Sequence, residues 1–279
     1  MPAPSDDDLP AFLSLMHHMA DLSAPVILPH FRSKVSVDEK LGKGVFDPVT
    51  EADRQAEQVI RQIIEQNLPD HAIIGEEFED VTGTSEYCWI VDPIDGTRAF
   101  VMGSTSWGTL VGLTFQGKPL LGMMNQPFTG ERFWATPEGS FGRWSGFEGR
   151  LQTRDTHDLG QAVITSTCPD LFGSPDDLAA FDALRAHCRM TRFGGDCQNY
   201  CLLAMGGVDL VVESNLQAFD IFPLIPIVEQ AGGVVTDWQG RALHTSQSAA
   251  MASGGHQVIA AATPQVHEAA LSHLRRSAQ

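Results

Sequence analysis

The stretch that most restricts how this chain can fold is Trp89-Ile90-Val91-Asp92-Pro93-Ile94-Asp95-Gly96-Thr97. Its apolar lead reads as the end of a buried strand, which then delivers two carboxylates three positions apart. Pro93 cannot donate to a ladder, so the strand is expected to stop between the acids, with the proline ring fixing the backbone there. Asp95-Gly96 is a turn signal, and Thr97 offers a hydroxyl where a new segment begins. Two acids pinned at a strand end, beside a glycine with open backbone N–H groups, point to divalent cations and a phosphate.

The flanking sequence supplies the layers such a strand needs. Asp8 to Arg32 reads as mostly helical, with a kink or early stop expected near Ser23 because Pro25 and Pro29 follow. Ser33 to Pro48 reads as a polar loop. Thr50-Glu51-Ala52-Asp53 resembles a capping box, and Ala52, Ala56, Val59, Ile60, Ile63 and Ile64 recur at helical spacing, which predicts an amphipathic helix from Thr50 to about Gln66. Ala72-Ile73-Ile74 is a short strand closed by Gly75-Glu76-Glu77. Two hairpins follow, one turning at Gln116-Gly117-Lys118-Pro119 and one at Pro137-Glu138-Gly139. The first half is thus two helices against a mostly antiparallel sheet.

After about Arg150 strands and helices alternate. Strands are expected at Ala162–Ser166, Met190–Phe193, Val208–Val212, Val234–Asp237 and Val258–Ala261. Helices are expected at Asp176–His187, Asp196–Met205, Phe219–Ala231 and Pro264–Leu274. In the third of these, Pro223 fits the first turn and Pro226 strains it. This alternation implies a second, α/β layer, so the chain divides into an α+β part, 1–150, and an α/β part, 151–279.

Composition narrows the partners. A formal net charge of −17 repels a phosphate backbone and argues against nucleic-acid binding. No apolar run is long enough to span a membrane, and residues 1–8 lack a basic leader region, so neither a membrane span nor a signal peptide is expected. Five cysteines, odd in number and without a C-x-x-C pair, read as reduced thiols of a cytoplasmic protein. His17 and His18 are expected on the surface, Cys197 and Cys201 in packing, and Trp238 partly exposed. The tryptophans are otherwise expected in sheet packing and a dimer interface.

Four acids fall at element ends: Glu76, Asp92, Asp95 and Asp220. Carboxylates of this kind suit Mg²⁺, whose coordination is completed by water and phosphate oxygens. Paired ions can clamp the attacking and leaving oxygens of an in-line displacement, and neutralising charge is the dominant need in phosphate monoester hydrolysis. Gly96 and Thr97 would present N–H donors to the phosphate.

The ordered set G-E-E (Gly75 to Glu77), W-I-V-D-P-I-D-G-T (Trp89 to Thr97) and F-D-(x11)-A-G-G (Phe219 to Gly233) resembles the inositol monophosphatase superfamily over nearly the whole chain. The resemblance implies a layered αβαβα sandwich, Mg²⁺-dependent phosphomonoesterase activity with two or three ions per site, a small phosphorylated substrate and a homodimer. It also implies roles: Glu76, Asp92 and the Ile94 carbonyl for a first metal, and Asp92, Asp95 and Asp220 for a second. Thr97 with Glu76 would position the attacking water, and Asp53 would be a supporting acid near it. As a helix N3 carboxylate, Asp53 is also favoured by the macrodipole alone.

Substrate choice is carried by the second half. Gly194-Gly195-Asp196-Cys197 places an acid where inositol phosphatases typically have alanine, and Glu213 matches a substrate-contacting acid of the family. Facing a common pocket, Asp196 and Glu213 would favour a ligand with a positive amine; Asp196 can instead cap the helix after it. Val208 to Gly240, Gly194 to Cys197 and Gln126 to Trp134 resemble the histidinol-phosphate phosphatase branch more than the inositol branch. L-Histidinol phosphate is therefore the expected substrate, with inositol or sugar phosphates the alternative. Arg98-Ala99 and Gln198-Asn199 depart from the residues usual in that branch.

Overall fold

The computed structural model describes residues 8–33, 37–39, 48–245 and 255–275. In chain order the elements are α1 (Asp8–Ile27), β1 (Val37–Glu39), β2 (Pro48–Thr50), α2 (Glu51–Asn67), β3 (Ala72–Gly75), β4 (Tyr87–Asp95) and α3 (Thr97–Met102). The hairpin strands β5 (Gly108–Phe115), β6 (Lys118–Gln126), β7 (Glu131–Thr136), β8 (Gly139–Trp144) and β9 (Phe147–Arg150) follow. The rest comprises β10 (Val163–Ser166), α4 (Pro175–Arg185), β11 (Met190–Phe193), α5 (Gln198–Ala204), β12 (Leu210–Leu216), α6 (Ala218–Ile221), α7 (Ile225–Glu229), β13 (Val234–Thr236), β14 (His256–Ala261) and α8 (Pro264–Leu274).

Two sheets carry the architecture. The first has seven strands in the order β3-β4-β5-β6-β7-β8-β9, antiparallel except for the parallel β3/β4 pair. The second has five strands in the order β11-β10-β12-β14-β13, parallel among β11, β10 and β12 and antiparallel beyond.

Alternation along each strand sorts side chains between layers. Trp89, Val91, Val111, Leu113 and Met123 meet Phe12, Met16, Ile60 and Ile64 of α1 and α2. Ile90, Leu110, Met124 and Phe133, on the opposite face, meet Tyr200, Leu203, Phe222, Ile225 and Val228 of the central helical layer, which also packs Val211, Val258 and Ala260 of the second sheet. Ile164, Leu210, Val212 and Ile259 then meet Phe181, Leu184, Val266 and Leu271 of α4 and α8. These are the five layers of an αβαβα sandwich, as the family resemblance implied. Among the described residues no helix is long and apolar enough to cross a membrane.

Several local expectations change. The first helix runs past Ser23 and through Pro25 to Ile27. Pro25 lies in the last turn, where losing one bond to the residue four before costs little because the helix is about to end. Strand β4 does not stop at Pro93: Asp92 pairs with Leu110 and Asp95 with Gly108, so one extra residue is absorbed as a bulge. The proline sits at that bulge, and its carbonyl accepts from Thr109 Oγ1 at 2.8 Å.

The helix expected over Phe219–Ala231 is two short helices broken between Ile221 and Ile225, where Pro223 falls, while Pro226 occupies the first turn of α7. The two prolines exchange the roles expected of them. The break rests on the first sheet, where a Cβ on Gly122 would lie 2.0 Å from the Pro223 carbonyl oxygen and one on Gly112 3.0 Å from its Cα. These two glycines admit the backbone of the α6–α7 joint and so set how far α6 leans over the end of β4.

His17 is not a free surface residue. Its ring lies against Trp134 (5.2 Å between centroids), and its Nδ1 is 3.1 Å from Arg132 Nη1. Trp238 is buried, its Nε1–H donating to the Val258 carbonyl at 3.0 Å. Most of the loop expected over Ser33–Pro48 lies outside the described residues; within it, the Val37–Glu39 backbone pairs antiparallel with β2.

Candidate active site

The β4 bulge turns Asp92 and Asp95 toward the same side. Asp92 is buried, and its Oδ1 accepts from the Ile94 N–H at 3.1 Å, closing a tight loop across Pro93. Thr97 Oγ1 donates to the Ile94 carbonyl at 3.2 Å, tying the start of α3 to the bulge. Between them Gly96 has φ +82°, a left-handed conformation glycine adopts without penalty. Asp95 Oδ2 accepts from the Cys197 N–H at 2.7 Å, which links the two sheets at this point.

Asp220 arrives from the other half of the chain. Its Oδ2 accepts from the Gln217 N–H at 2.7 Å within a capping arrangement that fixes the start of α6. One carboxylate oxygen each from Asp92, Asp95 and Asp220 lie within 4.8 Å of one another. Glu76 lines the same cavity, and both Glu76 and Asp53 raise the proton affinity of Asp92. The structure therefore brings Glu76, Asp92, Asp95 and Asp220 together with Thr97, and Asp53 stands behind them on α2.

The cavity, about 440 Å³, opens between the two sheets. The first half of the chain contributes Glu76, Asp95, Gly96 and Thr97 to its lining; the second half contributes Asp196, Tyr200, Glu213 and Asp220. Leu171, Phe172 and Phe219 supply apolar surface. Gly194 and Gly195 do not line it. They have φ +86° and +132° and carry the chain to Asp196, itself left-handed at φ +44°. Asp196 precedes α5 rather than opening it, and no side chain caps that helix. Its Oδ2 instead accepts from Ser106 Oγ at 3.4 Å, and its Cβ and Cγ lie 3.0 Å from where a Cβ on Gly96 would stand. The strained acid is thus pressed against the turn after β4.

The electrostatics are those of anions without enough counter-charge. Burial, then Glu76 and Asp95, pushes Asp92 well above the usual carboxylate range. Asp95 is pushed to about 8 by burial and by Asp196. Asp220 is raised well above the usual range by burial and Asp95, and Asp196 is raised to about 6 by burial and Glu213. Glu213 is raised by burial and moderated by Thr167 and Tyr200, whose hydroxyl donates to its Oε2 at 2.8 Å. A set of buried and half-buried oxygen donors with too little counter-charge suits a hard divalent cation.

Sequence reasoning missed three partners. Tyr200 and Thr167 hold Glu213, and Ser106 touches Asp196. It also missed Glu57 and Arg61, whose only sequence signal is a pair of charges four apart on the face of α2 that carries Asp53. Of the departures noted in sequence, Arg98 lines the cavity. Gln198 reaches Glu131 at 3.5 Å, and buried Asn199 accepts from Thr165 Oγ1 at 3.0 Å beneath Gly195.

Fold and site together define a phosphatase of the layered αβαβα class, with an acidic centre at a strand end. The chain belongs to the inositol monophosphatase family, whose model matches residues 11–279. It is 38% identical over 272 residues to the chloroplastic bifunctional phosphatase IMPL2 of Arabidopsis thaliana, covering 97% of this chain and 77% of that one. It is 34% identical over 230 residues to a histidinol-phosphatase of Chlorobaculum parvum, covering 82% and 86%. A solved structure of an inositol monophosphatase from Zymomonas mobilis matches with a TM-score of 0.81 at 39% identity, covering 98% of this chain and 100% of that one.

Proposed function

We propose that this protein is a Mg²⁺-dependent phosphomonoesterase that hydrolyses L-histidinol phosphate to L-histidinol and phosphate. The observation that carries the substrate choice is Asp196, a left-handed, half-buried acid facing the cavity beside Gly96. Keeping a carboxylate there costs backbone strain and desolvation, which a cationic amine on the ligand would offset. The likeness to histidinol-phosphatases supports the same reading. The alternative, an inositol or broad sugar monophosphatase, is favoured by the likeness to the Zymomonas mobilis structure.

In this proposal Glu76, Asp92 and the Ile94 carbonyl would hold one Mg²⁺, and Asp92, Asp95 and Asp220 another. Ions held there would supply charge neutralisation for the phosphate and a more acidic water. Gly96 and Thr97 offer N–H groups to the phosphate, while Thr97 Oγ1 and Glu76 orient the water, with Asp53 behind them. Asp196 receives the amine. Glu213, already holding Thr167 and Tyr200, shapes that wall, and Gly194 and Gly195 serve by placing Asp196. Residues 1–150 thus contribute most metal ligands and residues 151–279 most of the specificity, in a cytoplasmic homodimer.

The test is Asp196→Asn, which keeps the shape and tolerates left-handed backbone. We expect kcat/KM for histidinol phosphate to fall by about 30–100-fold, the scale of losing one charged partner, with little change for a neutral monoester. Equal losses on both substrates would overturn the assignment of the amine site.

A further inference from the structure

Glu76 stands just past the end of β3, whose last pairing with β4 is Gly75 with Val91, and residues 76–80 have no regular structure. What holds that segment is a buried ion pair on α2. Glu57 is fully buried; its Oε2 accepts from the Glu77 N–H at 2.8 Å and its Oε1 from Arg61 Nε at 2.7 Å. Arg61, also buried, sends Nη1 to the Glu79 carbonyl and Nη2 to the Phe78 carbonyl, each at 3.0 Å. Every residue from Glu77 to Glu79 is therefore gripped through its backbone.

Gly75 shows how close the grip is. A Cβ there would lie 2.2 Å from Glu57 Oε1 and 2.7 Å from Arg61 Nη2. The glycine of the G-E-E motif is needed because β3 passes directly over the pair. Asp53, Glu57 and Arg61 succeed one another at intervals of four, so one buried face of α2 serves both the supporting acid and the grip.

Buried ion pairs are seldom a net source of stability, because desolvation cancels much of the attraction. Here the planar guanidinium does what an apolar pair of the same volume would not: it satisfies two carbonyls of an irregular segment while Glu57 satisfies an N–H. We infer that the Glu57–Arg61 pair is a positioning clamp for the cation site, fixing the backbone that aims Glu76 at Asp92. This rests on Glu76 being a metal ligand.

The experiment compares Arg61→Ala, Arg61→Lys and Gly75→Ala with Arg154→Ala, which removes an ion pair to buried Asp209 in the other sheet. Mg²⁺ binding to metal-free protein is measured by calorimetry, beside Tm, half-activating Mg²⁺ and kcat at saturating Mg²⁺. Arg61→Ala is expected to weaken Mg²⁺ binding by about 10–100-fold, as loss of an outer-shell partner does, with much of kcat restored at high Mg²⁺. Arg61→Lys should fall between, since an ammonium can pair with Glu57 without spanning both carbonyls. Arg154→Ala should lower Tm and leave Mg²⁺ binding unchanged.

Wild-type Mg²⁺ binding by Arg61→Ala with a lowered Tm would overturn the clamp. Where that variant does not fold, wild-type binding by both Arg61→Lys and Gly75→Ala overturns it equally. Absence of Mg²⁺ binding by the wild type would overturn the metal reading itself, a distinct result.

Discussion

Replacing Asp95 with Asn should stabilise the metal-free protein while weakening its response to Mg²⁺. The folded-state pKa of Asp95 is raised to about 8 from 3.8. A carboxyl raised on folding is a liability wherever the unfolded chain would ionise it. The cost is absent below the unfolded value, near 4, and grows as pH rises toward about 8. At pH 7, about 3 units above the unfolded value, this corresponds to about 4 kcal/mol for the isolated group. Solvent reaches part of this half-buried side chain, and discounting for screening leaves about 2 kcal/mol. Asn retains an oxygen for the Cys197 N–H, so that bond is kept.

The expected gain in Tm, in chelator at pH 7, is roughly 4–6 °C for a chain of this size. It should shrink as pH falls through 4, well below which Asp95 is neutral in both states. Adding Mg²⁺ should raise the wild-type Tm and raise that of the variant less, because only the site shared by Asp92 and Asp220 is impaired. The assay is thermal unfolding with and without Mg²⁺ across that pH range. A metal-free variant less stable than wild type, or an undiminished Mg²⁺ shift, would refute the reasoning.

Other outcomes follow from the same geometry. Asp92→Asn should lower phosphate release by at least about 10²–10³-fold, the scale of losing one essential electrostatic group, as measured by steady-state kinetics. Near-normal Mg²⁺-dependent turnover would contradict its central place. Gly122→Ala should destabilise by about 1–3 kcal/mol, the cost of overpacking, because its Cβ would meet the Pro223 carbonyl; denaturant unfolding measures this. Tyr200→Phe should leave Mg²⁺ binding unchanged and lower discrimination between amine-bearing and neutral substrates, since Glu213 loses the donor at 2.8 Å. Calorimetry and paired kcat/KM values check that.

Much of this was legible in the residues, for identifiable reasons. Element types followed from periodicity, as with Ile60 and Ile64 on one face of α2, whereas the five-layered order was implied by the family resemblance carried by Gly75–Glu77, Trp89–Thr97 and Phe219–Gly233. The acidic centre was legible because Asp92, Asp95 and Asp220 fall at element ends, where carboxylates have no packing role. What escaped depended on contacts distant in sequence. His17 looked exposed until Arg132, 115 residues away, met it, and Trp238 until the Val258 carbonyl did. Pro223 and Pro226 exchanged roles because the break in their helix answers to Gly112 and Gly122 in another layer. Glu57 and Arg61 drew no attention in the sequence, since nothing local says that the end of β3 lies across them. The stop expected at Pro93 became a bulge because Thr109 supplies a donor to the proline carbonyl.

The most direct test of the account compares kcat/KM for L-histidinol phosphate, myo-inositol 1-phosphate and a generic neutral monoester, with the purified protein and Mg²⁺. The account predicts strictly Mg²⁺-dependent hydrolysis with histidinol phosphate preferred by about 10-fold or more, the least that one well-used charged contact at Asp196 supplies. Equal or faster hydrolysis of inositol 1-phosphate would contradict it.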